Sequence, residues 1–593
     1  MPTPGPGYAN PVTIDSANRP RPHVLREYAV LGDGERGAVI GADGEVAWLC
    51  APRWHCAPVF DGLLGGRCHF QVAPTDKWSV WSGSYRTGSL IWCAQWVSSD
   101  AFVRCQDALA LPADPHTAVL LRRTGTEDRP AEIEVGLDLP SWATPRLRRE
   151  GGCWLAEGAG LYLRLTGASD AAVTVGEAPE LRMVHTIAAH QEHDLVLELS
   201  DRPFDTPRPD APSLWRATER TWQEWTPDTA DTLAPRDVRH AYAVLRGLTS
   251  SAGGMVAAAT TALPERARAG ANYDYRYAWI RDQCWVGKAI AAHRSDPLLH
   301  NAVDFVTERL LADGDKLAPA YTVDGDRVPP EETIGLPGYP GGSDRIGNRV
   351  TDQFQLDVFG ESLLLFAAAA RHGALDRDTW RAAVTAANAI EARWPETDAG
   401  VWELDNRQWT HSQLACVAGL RAIAAHAPAS QRGTWTELAR RILADTERWG
   451  VHPHGYWRRA ADDDRIDAAL LQSALRGAVP ADDPRSIATC AAVRDQLTED
   501  GYVYRYRPED QALGDAEGAF LVCGFLMALA EEQQGRHAEA LRWFERNRSA
   551  CGPPGLFAEE YDVQRRQLRG NLPQAFVHGL LIESAATIGS PGQ

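Results

Sequence analysis

The sequence is poor in everything that would bring a chain to a membrane or to nucleic acid. Basic residues are outnumbered, 60 Lys and Arg against 79 Asp and Glu, and the net charge of −19 repels both phosphate backbones and anionic lipid. A neutral ligand is indifferent to that charge. Long apolar runs are missing too: the most apolar stretch, SLLLFAAAA at 362–370, falls far short of the roughly 20 residues of a membrane span. The opening MPTPGPGYANPVTIDSANRPRP has no apolar core of a secretory signal and is rich in Pro and polar residues, so residues 1–24 are expected to be a disordered tail on a cytoplasmic protein. Nothing like a CxxC pair or an HExxH follows Cys50 and Cys56, so no metal and no cofactor are expected. The eleven cysteines are odd in number and scattered, which suits buried thiols in a reducing compartment better than a disulfide framework.

What is present is enough chain for more than one core: 593 residues, 44% hydrophobic and 23% charged, the balance of a globular protein of at least two domains. From about residue 25 to 201 the dominant period is two. Ile133, Val135, Leu137 and Leu139 alternate with polar or small residues, as do Leu161, Leu163 and Leu165, and Leu195, Leu197 and Leu199. Each run predicts a strand with one face inside and one outside, and turn signals such as Asp43-Gly44 and Gly151-Gly152 point to an antiparallel β-sandwich. Trp48 and Trp54 fit either its core or a sugar contact. Residues 202–235 open with the proline-rich DRPFDTPRPDAP and continue as a short linker helix with Trp215 and Trp222 on one face.

From 236 to 593 the period is 3.6. Twelve helices are predicted, at about 236–251, 279–293, 300–313, 353–372, 377–393, 411–426, 430–448, 464–476, 484–497, 515–535, 537–549 and 572–588. Gly314, Gly373 and Gly450 follow helix ends, and Asp483-Pro484 supplies a cap and a first-turn proline. An even count joined alternately by short and long loops, with no internal repeat, suggests helical hairpins closed into a ring.

Four long loops, around 264–282, 316–352, 397–410 and 552–571, carry the polar and aromatic residues. In the first, Tyr273-Asp274-Tyr275-Arg276-Tyr277-Ala278-Trp279-Ile280-Arg281-Asp282 crowds rings beside a donor and an acceptor, as a pocket for a polyhydroxylated ring requires; an ion pair under an aromatic cluster would read the same way. Trp402-Glu403 and Glu559-Glu560 bring carboxyl groups to two other loops. Splitting an acetal at neutral pH needs a protonated acid and an ionised base, although two loop glutamates are also ordinary solvated surface.

The ordered set YDYRYAWIRD, RIGNRVTDQFQLDVFGE, GVWEL, EDGYVYRY and LFAEEYD with GNLPQAF resembles glycoside hydrolase family 15, the family of glucoamylases, glucodextranases and bacterial trehalases, from about residue 27 to 588. The resemblance implies a multidomain β + α fold, a β-sandwich followed by an (α/α)6 barrel, and inverting release of glucose from the non-reducing end of α-glucosides without a metal. It places Glu403 on the general acid and Glu559 on the general base, with Glu560 the rival for the base. Arg281 and Asp282 fall on residues that hold the terminal glucose, Tyr275, Trp279 and Trp402 line its pocket, and Arg505 matches an arginine near the scissile bond. The substrate implied is a small α-glucoside of the trehalose or malto- or isomalto-oligosaccharide type. An α-glucoside phosphorylase or a non-catalytic carbohydrate binder is the alternative, and the oligomeric state, a homo-oligomer included, stays open. The chain departs from the family pattern at Asn272-Tyr273, Gly342-Ser343-Asp344, Gln413, Val417 and Trp54-His55, several of which are expected near the leaving group.

Overall fold

The computed structural model describes residues 21–175, 178–265, 272–508, 513–514 and 517–589. The expected tail therefore falls, but for its last few residues, outside the described residues. From Ala29 to Ser200 the chain forms two eight-stranded antiparallel sheets, the fold class that alternation predicts. One has His69–Pro74 against Ala131–Asp138 at its centre, in a register that sets Phe70 opposite Leu137 and Val72 opposite Val135. The other is centred on Glu192–Ser200 and Thr117–Thr126. Leu195, Leu197 and Leu199 enter the shared core with Phe70, Trp92 and Ile133.

One expectation about that strand fails. Val196 and Glu198 on its other face are buried as well, because the linker helix α1 (Ala211–Trp225) lies over it. Trp215 Nε1 donates to Asp194 Oδ1 at 3.1 Å, and Val196, Trp215 and Trp222 belong to one core with the helical half. Glu198 is tolerated there because Arg164 bonds both its oxygens. Trp48 and Trp54 are both core.

The helical half contains α2 (Pro235–Leu248), α3 (Ile280–His293), α4 (Pro297–Asp313), α5 (Asp357–Arg371), α6 (Arg377–Arg393), α7 (Thr410–Ala424), α8 (Ala429–Gly450), α9 (Gln472–Leu475), α10 (Pro484–Gln496), α11 (Leu521–Gln533), α12 (His537–Arg548) and α13 (Ala575–Gly589). The odd-numbered members from α3 to α13 touch in sequence order and α13 returns to α3, closing an inner ring of six; the even-numbered members lie outside, so the barrel is (α/α)6. Burial follows that division. Nearly every residue of α3, α5, α7 and α11 is buried, whereas α6, α8 and α12 bury one stripe.

The predicted helix at 464–476 is cut to a 3-10 turn, Ala468–Leu471, and the single turn of α9. Its first residues are taken by other backbone pairings, Asp467 with Tyr506 and Arg465 O with Arg459 N. The predicted starts at 353 and 515 also move inward, to Asp357 and Leu521. At the latter, Ala519-Phe520 is claimed by pairing with Tyr561 and Glu560. No helix among the described residues is long and apolar enough to cross a membrane.

Barrel and sandwich are locked by Arg276. Its guanidinium bonds Asp274 (2.6 and 2.9 Å), the carbonyls of Trp54 and Cys56 and the Cys50 thiol, and lies over the Trp48 ring. Truncating one member of a buried pair leaves the other charge uncompensated. Arg276→Ala is expected to lower stability by about 3–5 kcal/mol, read from denaturant unfolding; a loss under about 1 kcal/mol would mean the pair contributes nothing at this junction.

Candidate active site

A cavity of about 510 Å³ opens where the N-terminal ends of the inner helices meet the long loops. All eight residues singled out in the sequence, Tyr275, Trp279, Arg281, Asp282, Trp402, Glu403, Arg505 and Glu559, line it. They arrive on separate elements. Trp279 is the N-cap of α3 and pairs in a two-residue ladder with Ala320, which leaves Arg281 and Asp282 in the helix's first turn. Glu403 ends a turn in which Leu404 N returns to Ala399 O, and its φ of 56° places a non-glycine residue in the left-handed region. Asp398 braces that turn: its Oδ1 accepts from Gly400 N at 2.7 Å and from Ser412 Oγ at 2.9 Å. Burial, reinforced by Asp357, lifts the Asp398 carboxyl to about 8.

The two candidate catalytic carboxyl groups are held by neighbouring rings. Trp279 Nε1 donates to Glu403 Oε1 at 2.8 Å, and Tyr275 OH lies 2.9 and 3.1 Å from the Glu559 oxygens. The rings themselves meet edge to face with centroids 5.5 Å apart. Glu559 is deeply buried, and burial followed by the Glu265 charge pushes its carboxyl well above the usual range against the pull of Arg505. Glu560, the rival, is wholly buried and does not line the cavity; its Oε2 accepts from Gly518 N at 2.8 Å.

Arg281 and Asp282 are neighbours in sequence but not a hydrogen-bonded pair, since successive side chains on a helix diverge by about 100°. Arg281 instead donates to Gln355 Oε1 at 2.7 Å and to Glu403 Oε1 at 3.2 Å, with Asp357 at 3.5 Å. That frees Asp282 to face the cavity, where burial raises it to about 7 despite Arg281. Arg505 is fixed by Glu517 at 2.6 Å and lies over the Phe520 ring; Trp402 Nε1 is bonded to Asp467 at 2.9 Å.

Two family models match parts of the chain: "Glycosyl hydrolases family 15" matches residues 239–586, and a trehalase-like N-terminal model matches 20–137. The chain belongs to glycosyl hydrolase family 15. Among curated relatives of this hydrolase, the trehalase of Mycobacterium tuberculosis is 30% identical over 95% of this chain and 89% of its own, and that of Mycolicibacterium smegmatis 29% over 95% and 91%. A bacterial glucoamylase solved in complex with acarbose superposes with a TM-score of 0.69, covering 99% of this chain and 96% of its own at 13% identity, which speaks to fold alone.

Within this glycoside hydrolase the departures from the family pattern separate cleanly. Asn272 and Tyr273 line the cavity, as does Arg345 beside Asp344. Gln413 and Val417 do not: the former bonds Trp394 O at 2.8 Å and the latter is core, while Trp54 and His55 stay in the sandwich. The residues that sequence reasoning passed over are Glu265, Asn348, Phe520, Gln574 and Phe576, all on the cavity wall. Asn348, Gln574 and Phe576 belong to the motifs that carry the family resemblance, and Glu265 is a third acid in the long loop around 264–282.

Proposed function

We propose that this hydrolase removes glucose from the non-reducing end of a small α-glucoside with inversion, trehalose being the first substrate to try. The observation that carries the reading is the pair Glu403 and Glu559, each fixed by its own ring on the wall of one sugar-sized cavity. Glu403 gives its proton to the glycosidic oxygen as the C1–O bond breaks. Glu559 takes a proton from the water that attacks C1 from the opposite face. Separate aromatic anchors suit two carboxyl groups that must admit a water between them. Arg281 and Asp282 then offer a donor and an acceptor to the glucose hydroxyls, and Arg505 and Trp402 stand beside the scissile bond. Glu559 fits water better than phosphate, because an ionised carboxylate repels a phosphate nucleophile.

The full-length trehalase relatives support trehalose over longer glucans. Eleven free thiols support a reducing, cytoplasmic setting. Proton NMR of a fresh trehalose digest decides the stereochemistry: the leaving glucose is released as the α-anomer in any case, so α- and β-glucose in equal amounts at first are expected of inversion. The α-anomer alone at first would mean retention and a different role for Glu559.

A further inference from the structure

The second sheet of the sandwich has two edges that are guarded very differently. At one lies Arg148–Glu150, three consecutive charged and exposed residues. At the other lies Val80–Tyr85, paired with Trp92–Val97 on one side and, among the described residues, with no strand on the other. It carries no charge, no proline and no bulge, the devices that keep a sheet edge from adding another strand. Trp81 and Tyr85 pack on the sandwich core, while Val80, Ser82 and Ser84 face solvent.

One end of this edge is apolar. The register sets Val80 opposite Val97 and Val97 opposite Phe102, so three side chains form a row across three strands on the outer face. Trp78 stands just ahead of the row, its backbone held because Trp78 N donates to Asp76 Oδ1 at 2.8 Å. Trp78 is 92% exposed, Val80 74% and Val97 49%, three of the four most exposed large hydrophobic side chains among the described residues. Single exposed apolar residues need no cover, but a contiguous group does. Charge returns only around it: Asp76, Lys77 and Asp100 flank it in sequence, and the next outward row, Ser82, Gln95 and Arg104, ends on a guanidinium 3.9 Å from Glu127 and from Glu192. An apolar centre inside a charged rim is the anatomy of a protein interface.

The occupant that fits is a second copy of this chain. A net charge of −19 makes two copies repel over most of their surfaces, and this row is a place where they can meet with no charge between them. A different partner chosen by charge would need a charged patch to read, which the row does not offer. Pairing about a two-fold axis also uses up the open edge of both copies, whereas a head-to-tail contact would leave one edge free for a third.

We propose that the protein is a dimer formed through this edge, Val80–Tyr85 of one copy running antiparallel to the same strand of the other, with the two-fold axis beside Val80 so that the two apolar rows and both Trp78 rings are covered. The catalytic cavity is lined entirely by residues of the helical half, so the dimer stands or falls independently of the function proposed above.

Sedimentation velocity of the full chain at micromolar concentration should show a dimer. Val80→Lys, which puts a charge into the row from both sides, should give a monomer with unchanged kcat. A monomeric wild type, or a Val80→Lys protein that stays dimeric, overturns the proposal. The axis is tested by oxidising single-cysteine additions with diamide: Val80→Cys should form a covalent dimer that the wild type, with its native thiols, does not. Ser84→Cys, at the far end of the strand, should stay uncrosslinked, and equal crosslinking there would overturn the placement. Hydrogen exchange names the rival cover. The amides of 80–85 should be slow in the wild type and fast in Val80→Lys; slow exchange in a wild-type monomer would assign the cover to another segment of the same chain and overturn the dimer.

Discussion

Glu403→Gln is expected to lose about 10²–10⁴-fold in kcat on trehalose or maltose and far less on an aryl α-glucoside or α-glucosyl fluoride. An alkoxide leaving group needs a proton as the C1–O bond breaks, whereas a nitrophenolate or fluoride departs without one. The substitution isolates that step. Gln is isosteric, its carbonyl can still accept from Trp279 Nε1 and Arg281, and the turn that holds residue 403 at a φ of 56° depends on backbone bonds and on Asp398 rather than on the carboxyl. A series of aryl glucosides of rising leaving-group pKa should therefore give a steep Brønsted slope in the variant and a shallow one in the wild type. Equal losses on every substrate would remove Glu403 from the role of acid, whatever its place on the cavity wall.

How far such a residue could be found from the sequence depended on whether its signal was local. The strand at 192–200 was legible because Leu195, Leu197 and Leu199 alternate; that Val196 and Glu198 are also buried was not, because the cover comes from α1, which no pattern within the strand encodes. The barrel helices were legible from their period, and most of their starts with them, but the N-terminal ends predicted at 464 and 515 were not. There Phe520 and Asp467 trade helical bonds for pairings with distant loops, and it is those pairings that aim side chains into the cavity. Glu403 and Glu559 stood out because tryptophan or acidic neighbours put them in ordered motifs. Glu265 follows a lone proline, which in a sequence looks like any solvated loop acid, and it is Gly570 and the Tyr275 hydroxyl, distant in sequence or unmarked by it, that stand between it and Glu559. Which of the departures reach the cavity was not legible for a related reason, Gln413 and Val417 being the example. Proximity in sequence to the Glu403 loop does not say which way a side chain on the inner helix α7 faces, and both are turned into packing.

Glu559→Gln should behave oppositely to the Glu403 variant, losing about 10²–10⁴-fold on activated and unactivated substrates alike, since no leaving group removes the need to deprotonate the attacking water. Glu560→Gln is the control. Glu560 sits in the strand Glu560–Asp562, pairs with Phe520 and Arg569, and accepts from Gly518 N, so its loss should appear mainly as a lower Tm. The face of attack can be read directly by removing the base altogether. In Glu559→Ala the space left beside Tyr275 admits a small anion that needs no deprotonation. With α-glucosyl fluoride and azide, a C1–N bond forms as the C1–F bond breaks and fluoride leaves. Rescue yielding β-glucosyl azide places residue 559 opposite the leaving group, where an inverting base must stand; rescue yielding the α-azide would put it on the leaving-group side and hand the base to another of the cavity's acids, with Glu265 the nearest.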